Sequence, residues 1–234
     1  MSEDPIKLLS TLSTPHLADA CLRVGVVVRC GPAGLLPLAT GMRCLGRGLP
    51  ARHVGSVDVF FEALERSRPG DVLVIDNAGR LDEACIGDLV ALEAQKGGLS
   101  GIVVWGLHRD TDELLAIGLP AFSLGTTPVG PQRLDPRVAD DLTSARIGPW
   151  NVTAQDIVIA DSDGLLFLPA EKLANITAAA IGIRDTERGH AAAVQAGVSF
   201  RQQVGFARYL TARTSNPALS FREHLRTISA AIEE

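Results

Sequence analysis

Pro69-Gly70-Asp71-Val72-Leu73-Val74-Ile75 decides the fold. Pro-Gly-Asp is turn chemistry, and the four apolar residues behind it read as a strand buried on both faces. A second such run, Gly101-Ile102-Val103-Val104-Trp105, is ended by Gly106, and a third and shorter one is Ala121-Phe122-Ser123-Leu124. Between the runs the period changes. Apolar positions at Val57, Phe60, Phe61 and Leu64 predict a helix over 57–67. Another is predicted from Asp82 to Lys96, stopped by Gly97-Gly98, and a short one from Thr111 to Ile117, stopped by Gly118. Strand, helix, strand at these spacings suits parallel crossovers, so the class is α/β.

Outward from this centre, Ser13-Thr14-Pro15 announces a helix read over Asp19 to Val28, and residues 25–52 read as strands and turns. Ile157-Val158-Ile159-Ala160 and Leu165-Leu166-Phe167-Leu168 flank Asp161-Ser162-Asp163-Gly164, a hairpin signal. Pro169 opens an Ala-rich helix to about Ala196, and a last amphipathic helix is read from Pro217 to Ile232. Neither linker nor repeat interrupts the pattern, and a single domain over 1–234 is expected.

The chain of 234 residues is 46% hydrophobic with a net charge of -5, a composition that can bury a core and is unlike a disordered chain. Apolar runs fall short of the ~18 residues of a membrane span. The acidic, polar start is unlike a signal peptide, and Cys21, Cys30, Cys44 and Cys85 have no metal or redox spacing. A cytoplasmic protein is expected. Its 22 basic residues are spread among 27 acids and its aromatics amount to 4%, which argues against a nucleic-acid partner.

Ligands in open α/β sheets sit at the carboxyl ends of parallel strands. Two loops there carry chemistry: the stretch from Asn77 into Gly87-Asp88, and Gly106-Leu107-His108-Arg109-Asp110. Arg109 offers a fork for a carboxylate, and Asp88 and Asp110 are hard oxygen ligands suited to Mg²⁺ or Mn²⁺. The bland reading of the three is a salt-bridged loop. P-loop, dinucleotide and nucleophile-elbow motifs are missing, and the only lysines are Lys7, Lys96 and Lys172, which gives a Schiff base poor support. His108 reads either as a substrate contact or as an ordinary surface or core histidine.

Asp88, twenty intervening residues, then Arg109-Asp110, with Gly87 before and Glu113 after, resembles the signature of the RraA-like family, which includes the class II pyruvate aldolases. A second copy of the spacing, Asp163 to Arg184-Asp185, has Ser162 and Arg188 at the flanking positions and falls on a hairpin and a helix. Gly46-Arg47-Gly48, Gly118-Leu119-Pro120-Ala121-Phe122 and Gly125-Thr126-Thr127-Pro128-Val129-Gly130 extend the resemblance to about residues 8–200. It implies a three-layer β/β/α sandwich of the swivelling-domain type. It also implies a homotrimer or homohexamer with the C-terminal helices of about 170–234 at subunit contacts.

The implied activity is divalent-metal-dependent cleavage of a 4-hydroxy-2-oxo acid, such as 4-hydroxy-4-methyl-2-oxoglutarate, to pyruvate, with oxaloacetate decarboxylation alongside. Asp110 would hold the metal directly and Asp88 through water. Arg109 and the Gly87, Asp88, Leu89 and Val90 backbone would hold the small oxo-acid substrate, and Glu187 is the candidate acid from a neighbouring subunit, or else a solvated helix residue. Trp105 departs from the family pattern and reads as a packed aromatic or as a pocket wall. Non-catalytic family members that bind a ribonuclease supply the alternative reading.

Overall fold

The computed structural model describes residues 8–228, which divide into two compact units. The first spans residues up to 15 and 28–173, and the second spans 16–27 and 174 onward. In chain order the elements are α1 (Thr14–Arg23), β1 (Leu36–Pro37), β2 (Cys44–Arg52), α2 (Asp58–Glu65), β3 (Val72–Asp76), β4 (Ala84–Ile86), α3 (Asp88–Lys96), β5 (Gly101–Trp105), β6 (Leu107–His108), α4 (Thr111–Ile117) and β7 (Ala121–Ser123). They continue with β8 (Ser144–Ile147), β9 (Trp150–Thr153), β10 (Asp156–Asp161), β11 (Gly164–Pro169), α5 (Leu173–Gln195), α6 (Phe200–Gln203), α7 (Phe206–Ser215) and α8 (Phe221–Thr227).

The first unit is built on a seven-stranded sheet in the order β1-β7-β5-β3-β2-β10-β11. The pairs β2–β3, β3–β5 and β5–β7 are parallel, as the buried runs predict. The strand β2 serves two partners: Cys44 to Arg47 pair antiparallel with β10, and Gly48 to Arg52 pair parallel with β3. All five residues of β3 are buried because each face has its own core. Leu73 and Ile75 face a cluster with Phe60 of α2, Val90 and Ala94 of α3 and Leu114 of α4. Val72 and Val74 join Ala145, Ile147 and Val152 of the β8–β9 hairpin and Phe167 of β11. Strand period two therefore splits one apolar run between a helix layer and a hairpin layer, which is the β/β/α sandwich. At Gly46 the chain passes so close that a Cβ would lie 1.9 Å from the Gly70 carbonyl oxygen.

Three expectations need correction. The first helix occupies Thr14–Arg23 rather than Asp19 to Val28, since Gly25 turns left-handed at φ 68° and ends it. Residues 82–87 are not helical: Ala84–Ile86 form β4, paired with β6, and α3 begins only at Asp88. The last helix is Phe221–Thr227, started by a capping box between Ser220 and Glu223, and the final expected residues lie outside the described ones. The 157–168 hairpin stands as read, with Asp161 accepting from both the backbone amide and hydroxyl of Thr14 at 2.8 and 2.7 Å.

In the second unit α5 runs 23 residues with Ile176, Ala180 and Ile183 buried at helical spacing. An aromatic cluster of Phe206, Tyr209, Phe221 and His224 packs α7 against α8.

Candidate active site

Two strand ends bring Asp88 and Asp110 together. The short parallel pair β4–β6 sets Ile86 beside His108, and the Arg109 amide donates to the Ile86 carbonyl at 3.0 Å. A helix starts within two residues of each strand end: Gly87, directly after β4, is the N-cap of α3, and Asp110, two residues past β6, is that of α4. Asp110 is left-handed, at φ 58° and ψ 46°, a conformation rare outside glycine that Asp tolerates better than most residues. This turns its carboxylate back over Gly87, where a Cβ would stand 2.2 Å from Oδ2. Glycine at 87 is thus required by the neighbouring carboxylate.

The contacts in this cleft are long. The Asp88 amide donates to Asp110 Oδ2 at 3.4 Å, and Arg109 Nε lies 3.5 Å from the same oxygen. The Leu89 amide donates to Asp88 Oδ1 at 2.8 Å. Arg109 is half exposed and lies along Gly130, where a Cβ would meet Nη1 at 2.9 Å. The cleft measures about 150 Å³, and its apolar side comes from Val57, Phe61 and Pro131. Cys85 lines it as well, but burial pushes its thiol far above the usual range and makes it a poor nucleophile.

Gly87, Asp88, Leu89, Val90, Arg109 and Asp110 therefore share one cleft. His108 and Trp105 do not line it. The His108 ring is buried, with Nδ1 2.7 Å from the Ser123 hydroxyl and Nε2 3.1 Å from that of Thr111, and burial pushes its pKa down. It ties β6 to β7 and to the first residue of α4, directly behind Asp110. Trp105 packs against Gly79 and lines a different cavity. Glu187, on α5, meets His16 Nε2 at 3.0 Å. Reading the sequence alone missed Val57 and Phe61 as cleft walls; their exposure of 43% and 44%, beside a fully buried Phe60, separates them from the core.

As to a metal, no group of three or more His, Cys, Asp or Glu side chains is gathered among the described residues. Asp110 and Asp88 nevertheless fit a hard dication that keeps most of its waters: both are oxygen donors, partly exposed, and Asp110 has only weak contacts, in a cradle that a Cβ would fill.

Residues 14–167 match the RraA-like family model, described as Aldolase/RraA. The chain belongs to the RraA-like family. A Pseudomonas aeruginosa relative named "Putative 4-hydroxy-4-methyl-2-oxoglutarate aldolase" is 34% identical over 109 residues, which cover 46% of this chain and 65% of that protein. "Protein DlpA" of Legionella pneumophila is 27% identical over 206 residues, 84% of this chain and 32% of that protein. The chain thus spans about a third of the one curated relative and just under two thirds of the other. Among solved structures, RraAS2 of Streptomyces coelicolor, described as an unusual member of the RNase ES inhibitor RraA protein family, matches with a TM-score of 0.70 and 26% identity, over 80% of this chain and 96% of that one. No described helix of this family member is long and apolar enough to cross a membrane.

Proposed function

We propose that this RraA-like chain is a metal-dependent carbon–carbon lyase that cleaves a 4-hydroxy-2-oxo acid, of the 4-hydroxy-4-methyl-2-oxoglutarate type, to pyruvate in the cytoplasm. The observation that carries the reading is Asp110, held left-handed over Gly87 with Arg109 and the first turn of α3 at its side. Arg109 donates two hydrogen bonds, to the substrate carboxylate and the C2 keto oxygen. The amides of the Gly87–Val90 turn hold the carboxylate at a helix N-terminus, where negative charge is favoured.

Asp110 directly, and Asp88 through water, would hold Mg²⁺ or Mn²⁺, which supplies Lewis-acid polarisation of the keto oxygen. As the C4 hydroxyl gives its proton to water, the C3–C4 bond breaks, its electron pair becomes the C2–C3 double bond, and the carbonyl π pair shifts onto the C2 oxygen. Arg109 stabilises the charge gathering there, and a proton returned from water to C3 completes pyruvate. Loss of CO₂ from oxaloacetate passes through the same enolate, so the same groups serve it.

The 150 Å³ cleft is below the usual ligand-pocket range of roughly 300–1,000 Å³ and suits the pyruvoyl half of the substrate. A second copy of the chain would complete it, in a homotrimer or homohexamer with residues 170–234 at subunit contacts and Glu187 of the partner subunit supplying an acid. Likeness to the Streptomyces protein favours a second reading, a non-catalytic regulator that binds a ribonuclease.

One experiment separates the two: pyruvate release from 4-hydroxy-4-methyl-2-oxoglutarate and oxaloacetate, with EDTA and after Mg²⁺ or Mn²⁺ is restored, beside a pull-down with ribonuclease E. Metal-dependent turnover lost in Asp110→Ala supports the lyase. Absence of turnover together with a captured ribonuclease replaces it by the regulator.

A further inference from the structure

A second cavity opens in the first unit, of about 640 Å³, over the carboxyl ends of β2, β3 and β5. Arg52 ends β2, Asp76 ends β3 and Trp105 ends β5, and Arg80, Arg133, Asp141 and Arg146 complete the polar wall. It lies where ligands bind in parallel sheets, and its volume is that of a small-molecule pocket. The lyase reading makes no use of it.

Its four arginines are of two kinds. Arg133 is saturated: it holds Glu83 at 3.0 Å and the Asn77 Oδ1 at 2.9 Å, and it pairs with Asp135. Arg80 pairs with Asp82 through Nη2 at 2.5 Å, and its Nε is buried 3.6 Å from Glu83, away from any ligand. Arg52 and Arg146 are different. Arg52 reaches a carboxylate only through Nε, 3.6 Å from Asp76. Arg146 gives Nε to the Gly148 carbonyl at 3.0 Å, and its two terminal nitrogens have no ion pair among the described residues. Two guanidinium forks therefore face the cavity with most of their five donors free.

The acids are spent or buried. Asp76 accepts from the Ala78 amide at 2.8 Å and the Arg146 amide at 3.2 Å. Asp141 takes the Val138 amide and Arg137 Nε on Oδ2 and leaves a buried Oδ1 with no hydrogen-bond partner. Free cationic donors on two separate side chains call for a ligand that carries more than one carboxylate. A phosphate offers a single compact centre and cannot fill both forks.

We propose that this cavity is a second binding site, separate from the Asp88–Asp110 cleft, for a small di- or tricarboxylate held by Arg52 and Arg146 across the Trp105 face. One carboxylate takes each guanidinium fork.

The test is calorimetric titration of the full chain, in EDTA buffer, with tartrate, citrate, succinate and inorganic phosphate, with Trp fluorescence as a second signal. Tartrate, citrate and succinate are expected to bind with dissociation constants of about 1 mM or below. Phosphate should bind more weakly. Arg52→Gln/Arg146→Gln, both at exposed side chains, should keep the melting curve and lose affinity at least about tenfold, ~1.4 kcal/mol. Asp110→Asn should bind as the unaltered chain does. Heats no larger than dilution for every probe, equal binding by the double variant, tighter binding of phosphate than of the carboxylates, or loss of binding in Asp110→Asn would each overturn the proposal.

Discussion

Charges in the Asp88–Asp110 cleft and charges around Glu83 are arranged in opposite ways. Glu83 is 4% exposed at its side chain, and Arg133 closes on it at 3.0 Å while also donating to Asn77 and to the His53 carbonyl. Asp110 is 35% exposed, its contacts are 3.4–3.5 Å long, and its backbone is left-handed. Only three residues separate Glu83 from Gly87 along the chain, so composition does not explain the difference. A buried ion pair must be fully met to repay the loss of water, whereas a carboxylate kept for an incoming ligand must be left with weak partners. Short ion pairs therefore mark the buried carboxylate here, and long contacts set the candidate site apart.

That contrast breaks most visibly at Asp110. Asp110→Asn should lower pyruvate release about a thousandfold, ~4 kcal/mol, while the thermal melting curve stays in place. Glu83→Ala should do the reverse, costing about 3 kcal/mol in urea denaturation because Arg133 is left without its carboxylate. Its turnover per folded molecule should stay near that of the unaltered chain. Gly87→Ala would push the new methyl into Asp110 Oδ2, displacing the carboxylate, and about a hundredfold loss of turnover is expected with the fold retained. A melting point that falls with activity would place Asp110 among the structural charges.

The smallest effect concerns pH. Burial lowers the pKa of His53 and His108, so the unfolded chain binds these protons more readily than the folded one. Their contribution to stability is intact above the unfolded value near 6.5 and is lost as pH falls through the lowered folded values. Denaturation midpoints should drop on the acid side of about 6.5. His108→Gln, which keeps a hydrogen-bonding side chain between Ser123 and Thr111, should flatten that slope.

Much of this was legible in the sequence, and the reasons are local. Val72 to Ile75 and Ile102 to Val104 announce buried strands because both faces need apolar residues, and Asp161 to Gly164 announces a turn. The pairing of Asp88 with Arg109 and Asp110 was readable as a spacing that resembles a family signature. What was not legible depends on long-range pairing. Ala84–Ile86 are too short to announce a strand between the acidic Asp82-Glu83 and the following helix, and they become strand because β6 lies beside them. The β8–β9 hairpin follows a stretch rich in turn residues that masks its short strands. The left-handed Asp110 has no sequence marker, since nothing in Arg-Asp-Thr distinguishes it from an ordinary N-cap. Trp105 packs on Gly79 and against the core, as the packed-aromatic reading expected, and it also lines the larger cavity, which the sequence did not announce.

Crystals soaked with Mn²⁺ and oxalate, a planar mimic of the pyruvate enolate, show directly whether the cleft holds a metal and an oxo acid. An anomalous peak is expected at the Asp110 carboxylate, with oxalate seated on Arg109 and the Gly87–Val90 amides. A bare cleft at saturating Mn²⁺ and oxalate, or an anomalous peak away from Asp110, would contradict the proposed site.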